Sequence, residues 1–209
     1  MPRAALRKPP RGLAQAGLLL TLLLALAGCQ TTAWLGDKFD PRQNQDDRAY
    51  QTAVEPYLVV ESIYSGPATE LHAKALPLTP PVRRAMVERT ARALALDPAA
   101  QAQRQADQAQ DAARFLEVAL SVFVPESKWN DLAAAKPDWR VFLLDAGGRE
   151  LTPQDIRPIK ERSALNEAIY YFWGPWDKLY RLRFALPQGA ARLVITGAPG
   201  RLELPLKLD

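Results

Sequence analysis

Leu116-Glu117-Val118-Ala119-Leu120-Ser121-Val122-Phe123-Val124 sets the class of this fold. Leu116, Val118, Leu120, Val122 and Val124 fall on one side of an extended chain, and Glu117, Ala119, Ser121 and Phe123 fall on the other. Successive side chains of a strand point to opposite faces, so this alternation predicts a half-buried strand. The same period recurs downstream. Trp139 to Leu144 reads as a strand closed by Asp145-Ala146-Gly147-Gly148, which has good turn chemistry. Ile156 to Ile159 follows as a short strand, with Pro153 before it and Pro158 within it, which places it at a sheet edge. Tyr180, Leu182, Phe184 and Leu186 alternate with Arg181, Arg183 and Ala185. Leu193-Val194-Ile195 and the Leu202 to Leu208 alternation flank Thr196 to Gly200 as a closing hairpin.

Upstream, Tyr57 to Tyr64 is β-branched and aromatic and stops at Ser65-Gly66-Pro67, and Glu70 to Leu76 adds a weaker strand. Between these and the Leu116 run lies a helical pair over about 79–113. Thr79-Pro80 and Asp97-Pro98 each supply a capping residue followed by proline at the first helical position. In the second helix Ala99, Ala102, Ala106, Ala109 and Ala113 recur at helical spacing, a stripe expected to pack closely on a neighbour or to dock a partner. About seven short strands with one helical insertion predict a mainly β chain, an antiparallel Ig-like β-sandwich. An antiparallel sheet with helices on one face is the alternative. The characteristic disulfide of antibody domains is absent, so the likeness is architectural.

The chain carries one cysteine, in Leu26-Ala27-Gly28-Cys29. Arg3, Arg7, Lys8 and Arg11 precede an apolar run from Leu13 to Leu26 that is shorter than the ~20 residues of a membrane span. A basic start, a greasy middle and small residues before a cysteine resemble the signal and lipobox of bacterial lipoprotein precursors. The resemblance covers the first thirty residues and implies cleavage after Gly28, a diacylglycerol on Cys29 and a further acyl chain, such as palmitate, on the new amino terminus. Each buried methylene adds ~0.8 kcal/mol of membrane affinity, and two or more chains anchor stably. Gln30, in place of the aspartate that retains such proteins at the inner membrane, implies the outer membrane, at its periplasmic face. The expected organisation is a signal peptide at 1–28, a lipidated tether at 29–52 and one β-rich domain at 53–209.

The formal charge of +4 belongs to the leader. Of 27 Lys and Arg, four precede Cys29 with no Asp or Glu among them, leaving 23 basic against 23 acidic residues. A balanced mature chain argues against nucleic-acid binding, which needs a basic stripe on phosphates. His72 is the single histidine, so a zinc ligand set is not expected, and no other cofactor is. None of Ser62, Ser65, Ser121, Ser127 and Ser163 sits in Gly-x-Ser-x-Gly or precedes lysine by three. Asp40, Asn44, Asp46 and Asp47 lack the glycine and final glutamate of a calcium loop. The chain therefore reads as non-enzymatic.

The densest unusual feature is Tyr170-Tyr171-Phe172-Trp173-Gly174-Pro175-Trp176, with Tyr180 beyond. Aromatics dominate interface energetics, stack on sugar faces and also fill cores. Tyr171, Trp173, Trp176 and Tyr180 are the candidate contact residues. They suit an accessory or adaptor subunit that binds an envelope protein partner, or alternatively a glycan- or peptidoglycan-binding module.

Overall fold

A computed structural model of the chain describes residues 45–209. The expected signal run, Cys29 and the expected tether up to residue 44 lie outside the described residues. The remainder of the expected tether is not a tether. It forms helix α1 (Gln45–Val54), which runs into a 3₁₀ turn at Glu55–Tyr57. Polar composition suggested a solvated segment, but Tyr50 and Val54 lie on one helical face and are buried. Tyr50 donates its phenol to the Ile169 carbonyl at 2.8 Å, and Asp47 pairs with Arg89. Two anchors suffice to dock ten residues.

The strands are β1 (Val59–Ser65), β2 (Ala68–Pro77), β3 (Phe115–Phe123), β4 (Arg140–Asp145), β5 (Glu150–Leu151), β6 (Asp155–Ile159), β7 (Lys178–Ala185), β8 (Ala191–Gly197) and β9 (Gly200–Leu206). Helices α2 (Pro80–Ala93) and α3 (Pro98–Ala112) form the expected pair, and α4 (Ala164–Ile169) precedes the aromatic stretch. Helices are thus not confined to the one early insertion. Among the described residues the strands make two antiparallel sheets, ordered β1-β2-β3-β7-β6 and β5-β4-β8-β9. The chain is mainly antiparallel β, a β-sandwich with helices.

The sheets meet through Leu71, Val118, Leu120, Leu182 and Phe184 on one side and Val141, Leu143, Leu193, Ile195 and Leu204 on the other. Each such side chain contributes roughly 1.5–3 kcal/mol on leaving water. The opposite face of the five-stranded sheet is also covered. Leu76, Ala119 and Leu179 pack there under Tyr50, Val54, Val82, Ile169 and Phe172. Strand β3 is therefore buried on both faces rather than half-buried, and its expected wet side, Glu117 and Ser121, lies inside. Behind β4, Phe142 is sheltered by the guanidinium groups of Arg140 and Arg201, 4.7 and 5.8 Å from its ring centre. The β4–β5 turn works as its sequence suggests. Asp145 Oδ1 accepts from the Gly147 and Arg149 amides, and Gly148 takes φ +77°, open to glycine at little cost.

The two helix starts differ. Asp97 caps α3 as expected, its carboxylate accepting from the Ala100 amide at 2.8 Å. Thr79 has the backbone geometry of a cap, yet its hydroxyl is buried without a partner. Pro80 and Pro81 supply no N–H, which removes the nearer amide a capping oxygen normally reaches. An unsatisfied buried hydroxyl costs about 1–3 kcal/mol. Thr79→Val is accordingly expected to raise the urea midpoint by the equivalent of about 1 kcal/mol; a lower midpoint would show that the hydroxyl is bonded.

Of the two expectations for the alanine stripe of α3, close packing on a neighbour is not met. Ala99, Ala102, Ala106, Ala109 and Ala113 are exposed, while Gln101, Gln105, Gln108 and Asp111 are half-buried. The polar side turns inward because it faces charge: Gln108 Oε1 accepts from Arg83 Nη1 at 2.6 Å.

Candidate functional site

The aromatic stretch lies between α4 and β7 and is held by one carboxylate. Ser163 caps α4, with Oγ accepting from the Asn166 amide at 3.3 Å, and the helix ends at Ile169. The chain then turns back through Trp173 N to Tyr170 O (2.7 Å) and Asp177 N to Gly174 O (3.2 Å). Asp177 Oδ2 accepts from Ser121 Oγ at 2.7 Å, the Gly174 amide at 3.1 Å and Lys74 Nζ at 3.3 Å. Lys74 Nζ also donates to the Phe172 carbonyl at 3.0 Å. Central strands β2 and β3 thereby clamp the turn to the sheet. Charge-assisted bonds of this kind are about twice as strong as neutral ones.

This clamp separates the four expected contact residues. Trp173 is 9% exposed, its indole nitrogen donating to the Asp177 carbonyl at 3.0 Å. The Arg162 guanidinium lies 4.0 Å from the centre of its ring. Tyr180 is buried as well. Its phenol reaches Asn130 O and Oδ1 at 2.9 and 3.0 Å, and burial pushes its pKa up to about 12. Tyr171 is half-buried, edge-on to Tyr50 and Phe172, with its hydroxyl on Glu55 at 3.2 Å. Trp173 and Tyr180 are thus largely buried and meet solvent only as walls of a groove. Trp176 is different: it is 81% exposed.

A groove of about 450 Å³ opens beside the turn, lined by Trp173, Tyr180, Ile159, Lys160, Arg162 and Lys178 among others. Its far wall is the segment after β3. Asn130 Nδ2 donates to the Val122 carbonyl at 2.7 Å, and Lys178 Nζ donates to Ser127 O and Asn130 O at 2.9 and 2.6 Å. Trp129, 46% exposed, lies on this segment with Lys128 over its ring at 5.2 Å. Sequence reading passed over Trp129 because no aromatic cluster surrounds it. The bonds from Lys178 to Ser127 and Asn130 that hold this segment span about fifty residues of chain, which no local pattern carries.

His72 stands opposite Ser62 on the β1–β2 ladder, with Ser62 Oγ and His72 Nδ1 2.8 Å apart. Burial, followed by the Lys74 charge, lowers its pKa, and neither residue lines the groove. Their spacing of ten residues becomes a contact only through the hairpin. Among the described residues no group of three or more His, Cys, Asp or Glu is placed to hold a metal ion. Comparison with protein families, with curated proteins and with solved structures finds no match.

Proposed function

We propose that this chain is a lipid-anchored protein of the outer membrane, facing the periplasm, that acts as a non-enzymatic adaptor by presenting the Trp176 turn to a protein partner. The observation that carries the reading is an indole exposed on a turn that Asp177, Ser121 and Lys74 tie to the sheet. Pre-ordered aromatics bind with little loss of entropy and are typical interface anchors. The groove beside the turn is lined by the cations Lys160, Arg162 and Lys178 against Asp131 and Asp177, and this small positive excess suits a partner with an acidic rim. The Leu26-Ala27-Gly28-Cys29 stretch supports the anchor.

Two measurements test this. Trp176→Ala is expected to leave stability within about 0.5 kcal/mol while weakening partner capture in envelope cross-linking by at least about 30-fold, the effect of losing a hot spot. Equal capture by both forms would refute the adaptor role. Cys29→Ser is expected to keep residues 1–28 attached and to remove the acyl mass from the native protein; a cleaved, unmodified thiol in the wild type would refute the anchor.

A glycan ligand is the second reading, favoured by an exposed indole beside a groove. Arg162 already covers one face of Trp173, so Trp176 supplies the free stacking surface. Quenching of Trp emission by peptidoglycan fragments, lost in Trp176→Ala, distinguishes it.

A further inference from the structure

A second cavity, of about 270 Å³, lies between α2, α3 and β7 and shares no lining residue with the aromatic groove. Arg83 and Thr90 reach it from α2, Arg104, Asp107 and Gln108 from α3, and Arg181 from β7. Three guanidinium groups thus border one small space.

Their charge is incompletely answered. Glu117 accepts from Arg83 Nη2 at 2.8 Å, Arg181 Nη2 at 2.9 Å and both Arg183 Nη2 and Nε at 2.9 and 3.1 Å. One carboxylate serves three cations. Arg183 also feels Asp111 and Asp155, which line an adjoining cavity together with Gln108 and Arg181. Arg181 keeps its Nε buried with no partner, although its side chain is 34% exposed. Arg104 makes no ion pair among the described residues; Asp107, which accepts from the Gln103 amide at 2.8 Å, is the one carboxylate in the cavity lining against three guanidinium groups. The cavity has a surplus of fork-shaped donors, and such forks match the paired oxygens of phosphates and carboxylates.

We propose that this cavity binds an oxyanion group, a phosphate or a carboxylate, through Arg104 and Arg181 with Arg83 fixed behind them. Arg83 is the rigid part: it is 2% exposed and tied to the Leu78 carbonyl, Gln108 and Glu117. Arg104 is the adjustable part, exposed on α3.

Calorimetric titration of the full chain in mild detergent tests this, with inorganic phosphate and with glutarate as separate probes at constant ionic strength. Saturable one-to-one binding of either is the expected result. Phosphate alone identifies a phosphoryl ligand, and glutarate alone identifies an acidic side chain or chain terminus. Arg104→Gln, on an exposed helical position, is expected to weaken binding about ten-fold. Arg181→Gln adds a larger loss, but Arg104→Gln decides the matter because it leaves the Glu117 cluster whole. Absence of saturable binding for both probes, or equal affinity in Arg104→Gln, would overturn the proposal.

Discussion

Glu117→Gln is expected to lower the stability of this protein by about 3–5 kcal/mol, the usual penalty for stripping one partner from a buried ion cluster. Glutamine has nearly the same shape, so packing is conserved and the charge alone changes. Its amide nitrogen then faces guanidinium donors, and Arg83 remains inside without an opposing charge. Arg181 and Arg183 are partly exposed and can turn to water; Arg83 cannot. A urea midpoint at pH 7 within the equivalent of 1 kcal/mol of the wild type would show that the cluster is dispensable.

The same carboxylate sets a pH dependence. Burial by itself would raise the Glu117 pKa, but Arg181, Arg183 and Arg83 outweigh it and hold the group below its ordinary value. A folded-state pKa below the unfolded one means the unfolded chain binds the proton more readily. The stabilisation is therefore complete above the unfolded value of ~4.3 and lost as pH falls through the folded one. Wild-type stability is expected to drop below about pH 4, with a shallower acid limb in Glu117→Gln. Parallel limbs in the two proteins would assign the acid loss to other carboxylates.

Asp177→Ala carries the second large effect, about 2–4 kcal/mol, because it orphans several donors at once. Ser121 Oγ is fully buried, the Gly174 amide closes the turn, and Lys74 reaches the same oxygen. Loss of the clamp frees the backbone that presents Trp176 and opens the environment of Trp173. The expected signature is a red-shifted Trp emission together with a lower urea midpoint. Asp177→Asn keeps an acceptor for Ser121 and falls between the two. If Asp177→Ala melts like the wild type with unchanged emission, the turn is held by its aromatic packing and the clamp is incidental.

The sandwich was legible because strands announce themselves locally. Alternation in 116–124, 180–186 and 202–208 follows from the pleat, and Asp97-Pro98 and Asp145 to Gly148 act through bonds within a few residues. The helical pair over about 79–113 was read for the same reason. What failed was partnership at a distance. Polarity favoured packing for the alanine stripe of α3 over its exposure and placed residues 45–52 in a tether, since a sequence shows no acceptor for Arg83 and no carbonyl for Tyr50. The aromatic cluster was found as a cluster, but which ring stays in water was not written in it. Trp173 and Trp176 are three residues apart, and a single turn sends one under Arg162 and the other into solvent.

By itself the sequence determined the period of each strand, the places where the chain reverses and the balance of charge after residue 29. These depend on covalent geometry and on neighbours along the chain. Tertiary structure alone decided which side of β3 is wet, and the answer is neither. Once α1, α2, α4 and the aromatic stretch cover the larger sheet, Glu117 and Ser121 leave water, and a buried polar group persists where distant partners arrive: Arg83 and Arg181 for the first, Asp177 for the second.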